Sequence, residues 1–479
     1  MPFAFRSHRR SGLTLVEILI ALSMTLIVLG VMTSAFRFAS EEMQNGRALI
    51  ELANRARIVE DQLRTDFGNL TVETRVYDGT DRPNGYFEYI EGSIRDDTFA
   101  QSVDNFQGDC DDILAFTARS SDGALYRGRS SGTVIESSAA EIVWFCTAIE
   151  NDNNVRNEVA IQGTDIDAAT GITSSSISFD ETIRVHRRVL LIRPDLNRIQ
   201  PDLNRPDLRV VATGLNSGEV DEFIRNNDIS VRVIPTDGGL NDLIANSLGD
   251  LAIRSNRFAH GAIGLDGAHN FPNNLNPNDL VSRVVDDEDF PPILSDVGAF
   301  DVRVYSPNAR VGTVGGVIVE PSDPGYDATD PANSQLGAYV DLGYLGGTGG
   351  RPDEWFSGNS TPPLDRGAPT PPSSLGVSRP MWPSMTNVWD TWTPEYESDG
   401  LDQDLDDIDD QGTNGINDVL STIEFPNAVN SNVIDDPAER ETIPPYTQPI
   451  RGMKVTLRLV ERGTKQVHQI SIIHSFVPE

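Results

Sequence analysis

The sequence predicts an α+β protein: a long N-terminal transmembrane helix packed on an antiparallel β-sheet, with a large Pro/Gly/Asp-rich insertion ahead of a closing hairpin. Three observations carry this. Residues 13–36 form one long apolar run, and helical spacing continues beyond it. From about residue 70, short alternating or β-branched segments stand between clusters of Asp, Asn, Gly and Pro. Between about residues 306 and 445 the strand signal gives way to Pro, Gly, Asp, Asn and Thr.

The run LTLVEILIALSMTLIVLGVMTSAF contains no proline and, as a helix, is about as long as a bilayer is thick. Arg6, Arg9 and Arg10 precede it, the flank that holds an N-terminus in the cytoplasm while the following helix inserts. From Glu41 to Phe67, Leu49, Leu52, Ala56, Val59 and Leu63 recur at steps of three and four, so the helix is expected to reach about Phe67. Gly46 is its weak point and Gly68 its stop. Such a rod is about 80 Å long.

Strands are expected at Asp112 to Ala118, Glu141 to Ala148, Thr182 to Arg193, Leu208 to Thr213, Ile229 to Pro235 and Ala299 to Tyr305. The last hairpin is the clearest. Met453, Val455, Leu457 and Leu459 share one face, Lys454, Thr456 and Arg458 the other, and a turn at Arg462-Gly463 leads into Val467 to Phe476. Three Pro-Asp-Leu copies between Arg193 and Leu208 are too short for a solenoid repeat and read as an extended loop. The tryptophans at 355, 382, 389 and 392 imply that part of the insertion docks on the sheet, since exposing them would be costly. The expected organisation is a cytoplasmic leader (1–12), a membrane or filament-core helix (13–38), its amphipathic continuation (39–68), a β domain (69–305), an acidic insertion (306–446) and a hairpin completing the sheet (447–479).

The formal net charge is −34, from 38 Lys and Arg against 72 Asp and Glu. That repels nucleic acid and anionic lipid and excludes a direct nucleic-acid role. No G-x-S-x-G elbow, Walker lysine, H-E-x-x-H or C-x-x-C occurs, and the six histidines do not cluster at ligand spacing, so no enzyme is expected. The two cysteines, Cys110 and Cys146, would pair in an exported body or stand as separate thiols; the sequence leaves both open.

Glu17 is the anomaly of the apolar run. A carboxylate at bilayer depth costs on the order of 2 to 3 kcal/mol and calls for a partner. An ordinary signal peptide would be shorter, and Thr33-Ser34-Ala35 is a poor cleavage site. The segment Ser11-Gly12-Leu13-Thr14-Leu15-Val16-Glu17 resembles the class III signal of type IV prepilins and type II secretion pseudopilins. The resemblance implies cleavage by a prepilin peptidase between Gly12 and Leu13, methylation of the new amine, and a Glu17 that meets the N-terminal ammonium of a neighbouring subunit. Leu13 replaces the Phe that begins most major pilins. The order of strands in residues 41–305 and 449–479 is similar to that of minor subunits, the J-type pseudopilin and W-type minor pilin, though on pattern and not on a chemical motif. Implied partners are other pilins or pseudopilins, the peptidase and the inner membrane, with the C-terminal body outside the cytoplasm. The alternative from the same anchor is a pilus-tip adhesin that binds through the acidic insertion; a tethered hydrolase is a third reading.

Residues 399–418 carry the sharpest candidate for metal. No Lys or Arg lies between Arg379 and Arg440, so the acids there have no local counter-charge. Asp402, Asp404 and Asp406 alternate as Ca²⁺ ligands do, and Asp410, Asn414 and Asp418 form a second set around Gly415. The segment is not an EF-hand, because Asp407 stands where the loop needs Gly and Thr413 where it needs Glu. A structural Ca²⁺ and a solvated acidic loop both fit; no other cofactor is expected.

Overall fold

The computed structural model describes residues 14–75, 84–92, 108–121, 123–152, 155–160, 182–199, 209–236, 238–258, 260, 292–321, 323, 325–326, 335–342, 388–391, 449–461 and 466–476. Helix α1 (Leu15–Gly68) opens with a capping box: the Thr14 hydroxyl accepts from the Glu17 N–H, and the Glu17 carboxylate accepts from the Thr14 N–H. It runs unbroken through Gly46, where the open surroundings impose no kink, and ends where the Asn69 N–H turns back to the Asp66 carbonyl.

The chain then builds β1 (Phe87–Ile90), β2 (Ile113–Arg119), a small hairpin of β3 (Tyr126–Ser130) and β4 (Thr133–Ser137), β5 (Ala139–Asp152), β6 (Val155–Ala160) and β7 (Thr182–Leu191). Short strands β8 (Arg198–Ile199), β9 (Arg209–Val210) and β10 (Ala212–Leu215) lead to α2 (Ser217–Asn226) and to β11 (Val231–Thr236) and β12 (Leu240–Ala245). The rest comprises β13 (Leu294–Val314), β14 (Val317–Val319), β15 (Gln335–Val340), β16 (Val388–Asp390), β17 (Gly452–Glu461) and β18 (Gln466–Ser475). The main sheet runs β16-β1-β2-β5-β7-β13-β17-β18, antiparallel throughout, with β6 added to β5 and β14 and β15 added to β13. Strands β10, β12 and β11 form a smaller sheet.

Period-two alternation divides the core into two layers. On one face Leu114, Phe116, Ile142, Trp144, Phe300, Val302, Val455 and Leu457 meet Leu52, Ala56, Val59, Leu63 and Phe67 of α1. On the other, Ile113, Ala115, Val143 and Phe145 meet Val220 and Ile224 of α2 together with Val231, Leu243 and Leu251. The central strands are therefore covered on both faces. Asp66 fastens α1 to the sheet: it is fully buried, takes both its oxygens to the Arg187 guanidinium at 2.7 Å, and accepts from the Trp144 indole N–H at 3.0 Å.

That contact uses only part of α1. Every residue from Thr14 to Ser40 is exposed, and buried positions begin at Leu52. Beyond Ser40 the helix also carries Met43, Ile50 and Ile58, 62 to 65% exposed and spaced seven and eight residues apart, on the side opposite the buried stripe.

The division at residue 305 does not match the strands, because β13 continues through it to Val314. Pro307 and a register shift between Ser306 and Arg310 interrupt the alternation there, which hides the second half of the strand from a periodicity reading. Segment 306–446 also contributes β15, against β13, and β16, against β1, and Trp389 of β16 is fully buried.

Replacing Leu63 with Ala should cost about 2–5 kcal/mol in denaturant unfolding of the body, and Ile58→Ala, on the open side, within about 0.5 kcal/mol. Asp66→Asn, which leaves Arg187 without its counter-charge, should cost about 3 kcal/mol.

Candidate functional site

Two concentrations of buried charge lie on opposite faces of β1, since Glu88 and Glu91 are an odd number of residues apart. Glu88 is fully buried on the α2 side. Arg254 reaches one of its oxygens at 2.7 and 2.9 Å, Arg257 reaches the other at 3.0 Å, and the His260 Nε2 lies 2.9 Å away. Arg257 also bonds Asp390 of β16 at 2.9 Å and lies 4.1 Å from the centre of the Tyr86 ring. Burial would raise the Glu88 carboxyl, but Arg254, His260 and Arg257 together hold it well below the usual range. His260 is lowered to about 4 by burial and by Arg254, so it is neutral near pH 7. These two guanidiniums and the carboxylates of Glu88 and Asp390 form a clamp that joins β1, β16 and the turns at Asp250–Ala252 and Arg254–Asn256.

Among the described residues the second cluster is not balanced. At the end of β1 and the entry to β2, Glu91, Asp109 and Asp112 are all buried, and one carboxylate oxygen from each lies within 4.8 Å of the others. Asp112 accepts from the Gly92 N–H at 3.2 Å and the Val302 N–H at 2.7 Å, and Glu91 accepts from the Leu342 N–H at 3.1 Å. The Tyr89 hydroxyl lies against Glu91 and the Val302 carbonyl. Asp301 and Asp341 stand behind, sharing Arg303 at 3.1 Å with Asp323 at 2.6 Å. Burial, then neighbouring carboxylates, pushes all three acids well up: Asp112 and Asp341 act on Glu91, Asp112 and Asp111 on Asp109, Asp111 and Asp301 on Asp112. Such a group holds protons or a cation. Glu91, Asp109 and Asp112 are the described residues able to hold a metal ion, and an all-oxygen set suits a hard divalent one. The Cys146 thiol nearby is pushed well up by burial and by Asp112 and Asp111, and the grouped ligand atoms do not include its sulfur.

Of the residues singled out by sequence, Glu17 lies in the exposed first turn of α1, closed onto Thr14. Gly12 and Leu13 lie outside the described residues, as do Asp402, Asp404, Asp406, Asp410, Asn414 and Asp418. Cys110 and Cys146 are both buried and no disulfide joins them. Continuing the β2–β5 register two steps past Leu114 and Trp144 sets Asp112, not Cys110, opposite Cys146. Sequence reasoning missed the Glu91 cluster. Its one local signal is the run Asp109-Cys110-Asp111-Asp112 entering an apolar strand; Glu91, Asp301 and Asp341 come from distant segments.

Comparison with known proteins returns nothing: no protein-family model, no curated protein and no solved structure matches the chain.

With a chelator present, so that no cation replaces protons, the cluster fixes a sign for pH dependence. Its carboxyls keep protons in the folded chain that the unfolded chain releases, so their contribution is fullest below the ordinary carboxylate range and is lost as pH rises through the elevated values. Thermal unfolding of the body should occur at lower temperature at pH 8 than at pH 6, and Asp109→Asn should flatten that slope.

Proposed function

We propose that the chain is a minor subunit of a type IV pilus or type II secretion pseudopilus, assembled through its N-terminal helix and not acting as an enzyme. The observation that carries the reading is the division of α1. Its first 26 or so residues are apolar and wholly uncovered, while its last turns form one side of the body's core. Fully burying one Leu- or Ile-sized side chain contributes about 1.5–3 kcal/mol, so so many left in water would be untenable. Lipid, or helices of other subunits, supplies the missing cover. The stripe of Met43, Ile50 and Ile58 extends that need past the membrane segment, on the side facing away from the body.

A removable signal peptide passes the same length test, but the continuity of α1 speaks against one. Cleavage after Ala35 would cut a helix whose later turns are buried in the fold. Cleavage between Gly12 and Leu13 leaves the helix whole. It also leaves an ammonium within a turn or so of Glu17, one residue before the capping Thr14. In the assembly mechanism, Glu17 leaves its own cap for the ammonium of a neighbour: two charges pair in lipid where neither is well solvated. Among the described residues the exposed carboxylate is held by a single threonine, which makes the exchange cheap.

The test is the N-terminal mass of the membrane-extracted protein from cells with and without prepilin peptidase. A chain starting at Leu13 only when the peptidase is present supports the proposal. A chain starting at Met1 in both strains, or after Ala35, ends it. Glu17→Gln should leave processing and the thermal stability of the body unchanged while reducing recovery in sheared filaments or in crosslinked assemblies at least about tenfold.

A further inference from the structure

The main sheet ends in two unlike edges. One is β16, three residues long, with Asp390 tied to Arg257. Short, charged edge strands are how folds avoid unwanted pairing. The other is β18, ten residues long, and Gln466-Val467-His468-Gln469-Ile470-Ser471-Ile472-Ile473-His474-Ser475 contains no Asp, Glu, Lys, Arg, Pro or Gly. Among the described residues no strand pairs with its far side.

The ladder tells which backbone groups face outward. Phe476 donates its N–H to the Arg451 carbonyl on the β17 side, so even-numbered residues of β18 bond inward and odd-numbered ones point away. Arg64 of α1 agrees, since its guanidinium bonds the outward Ile473 carbonyl at 3.2 Å. The helix thus caps one end of the edge and leaves the N–H and C=O groups of Val467, Gln469 and Ser471 directed outward. Side chains alternate across it. Ile470 and Ile472 pack into the core beneath α1, while Gln469, Ser471 and Ile473 face solvent, with Ile473 50% exposed.

We propose that this edge is a docking surface for an extended strand of a different protein, which lengthens the main sheet by one strand beyond β18. Repeating main-chain donors and acceptors can be matched only by another extended backbone. A second copy of this chain is disfavoured by charge, because it would bring another −34 alongside. The occupant is a neutral or basic strand, apolar on the side toward α1 and polar on the other, the alternation that β17 already presents to β18.

A synthetic peptide of residues 452–461, the β17 sequence with two cations against one carboxylate, labelled with fluorescein, is the probe. Its anisotropy is followed as the full chain in detergent micelles is added. Saturable binding is expected. Ser471→Pro removes an outward N–H without touching the bonds to β17 and should weaken binding about tenfold with the melting temperature nearly unchanged; Ser471→Lys, which keeps the N–H and tests the same edge should the proline variant fail to fold, should also weaken it. No saturable binding to the wild-type chain, or equal binding to both variants, overturns the proposal. So does light scattering that shows a wild-type dimer which Ser471→Lys converts to monomer, for then a second copy occupies the edge.

Discussion

The structure depends on the bond between α1 and the sheet at Asp66. A buried carboxylate is expensive unless its lone pairs are used, and here a bidentate arginine and an indole N–H use them. Arg187 and Trp144 sit on neighbouring strands, so this one residue sets where the helix crosses the sheet and, with Leu52 to Phe67 in the core, how it is rotated about its axis. Because the helix is rigid and unbroken, that rotation is transmitted to its uncovered half. The apolar stripe at Met43, Ile50 and Ile58 faces outward as a direct consequence.

Much of this was legible in the chain, and for physical reasons. The length of α1 followed from steps of three and four between Leu49 and Leu63, and its end from Gly68. Strands β2, β5, β7 and β17 were visible because they are long and rich in β-branched or aromatic residues. What was not legible falls into two kinds. Helix α2 and β12 are short and polar on one side, and their place is set by packing on the second face of the sheet, which local pattern does not encode. The Glu91 cluster is assembled from acids some two hundred and fifty residues apart, so Asp109, Asp111 and Asp112 read as a polar run entering a strand until Asp301 and Asp341 are brought beside them.

Strand β1 shows why segment 306–446 joins the fold despite having few apolar runs. Its four residues carry Glu88 toward one face, and Glu91 follows toward the other. On the first face Glu88 and Asp390 share Arg257, which holds β16 against the sheet. On the second, Glu91 accepts from the Leu342 N–H just past β15, and Arg303 of β13 bonds both Asp323 and Asp341. Apolar contact contributes as well, through Ala338, Val340 and Leu342 on one side and Val388 and Trp389 on the other.

These two fastenings differ in what they ask of the solvent. At Glu88 two arginines meet the carboxylate and hold it well below the usual range, and the neutral His260 adds a donor without adding charge, so the contact stays charged across the ordinary pH range. At Glu91 the carboxylates among the described residues outnumber the one described arginine, which favours protons or a cation there. The bond from the Leu342 N–H to Glu91, just past β15, is therefore a contact whose strength depends on what surrounds the protein, while the Arg257 bonds that hold β16 are not.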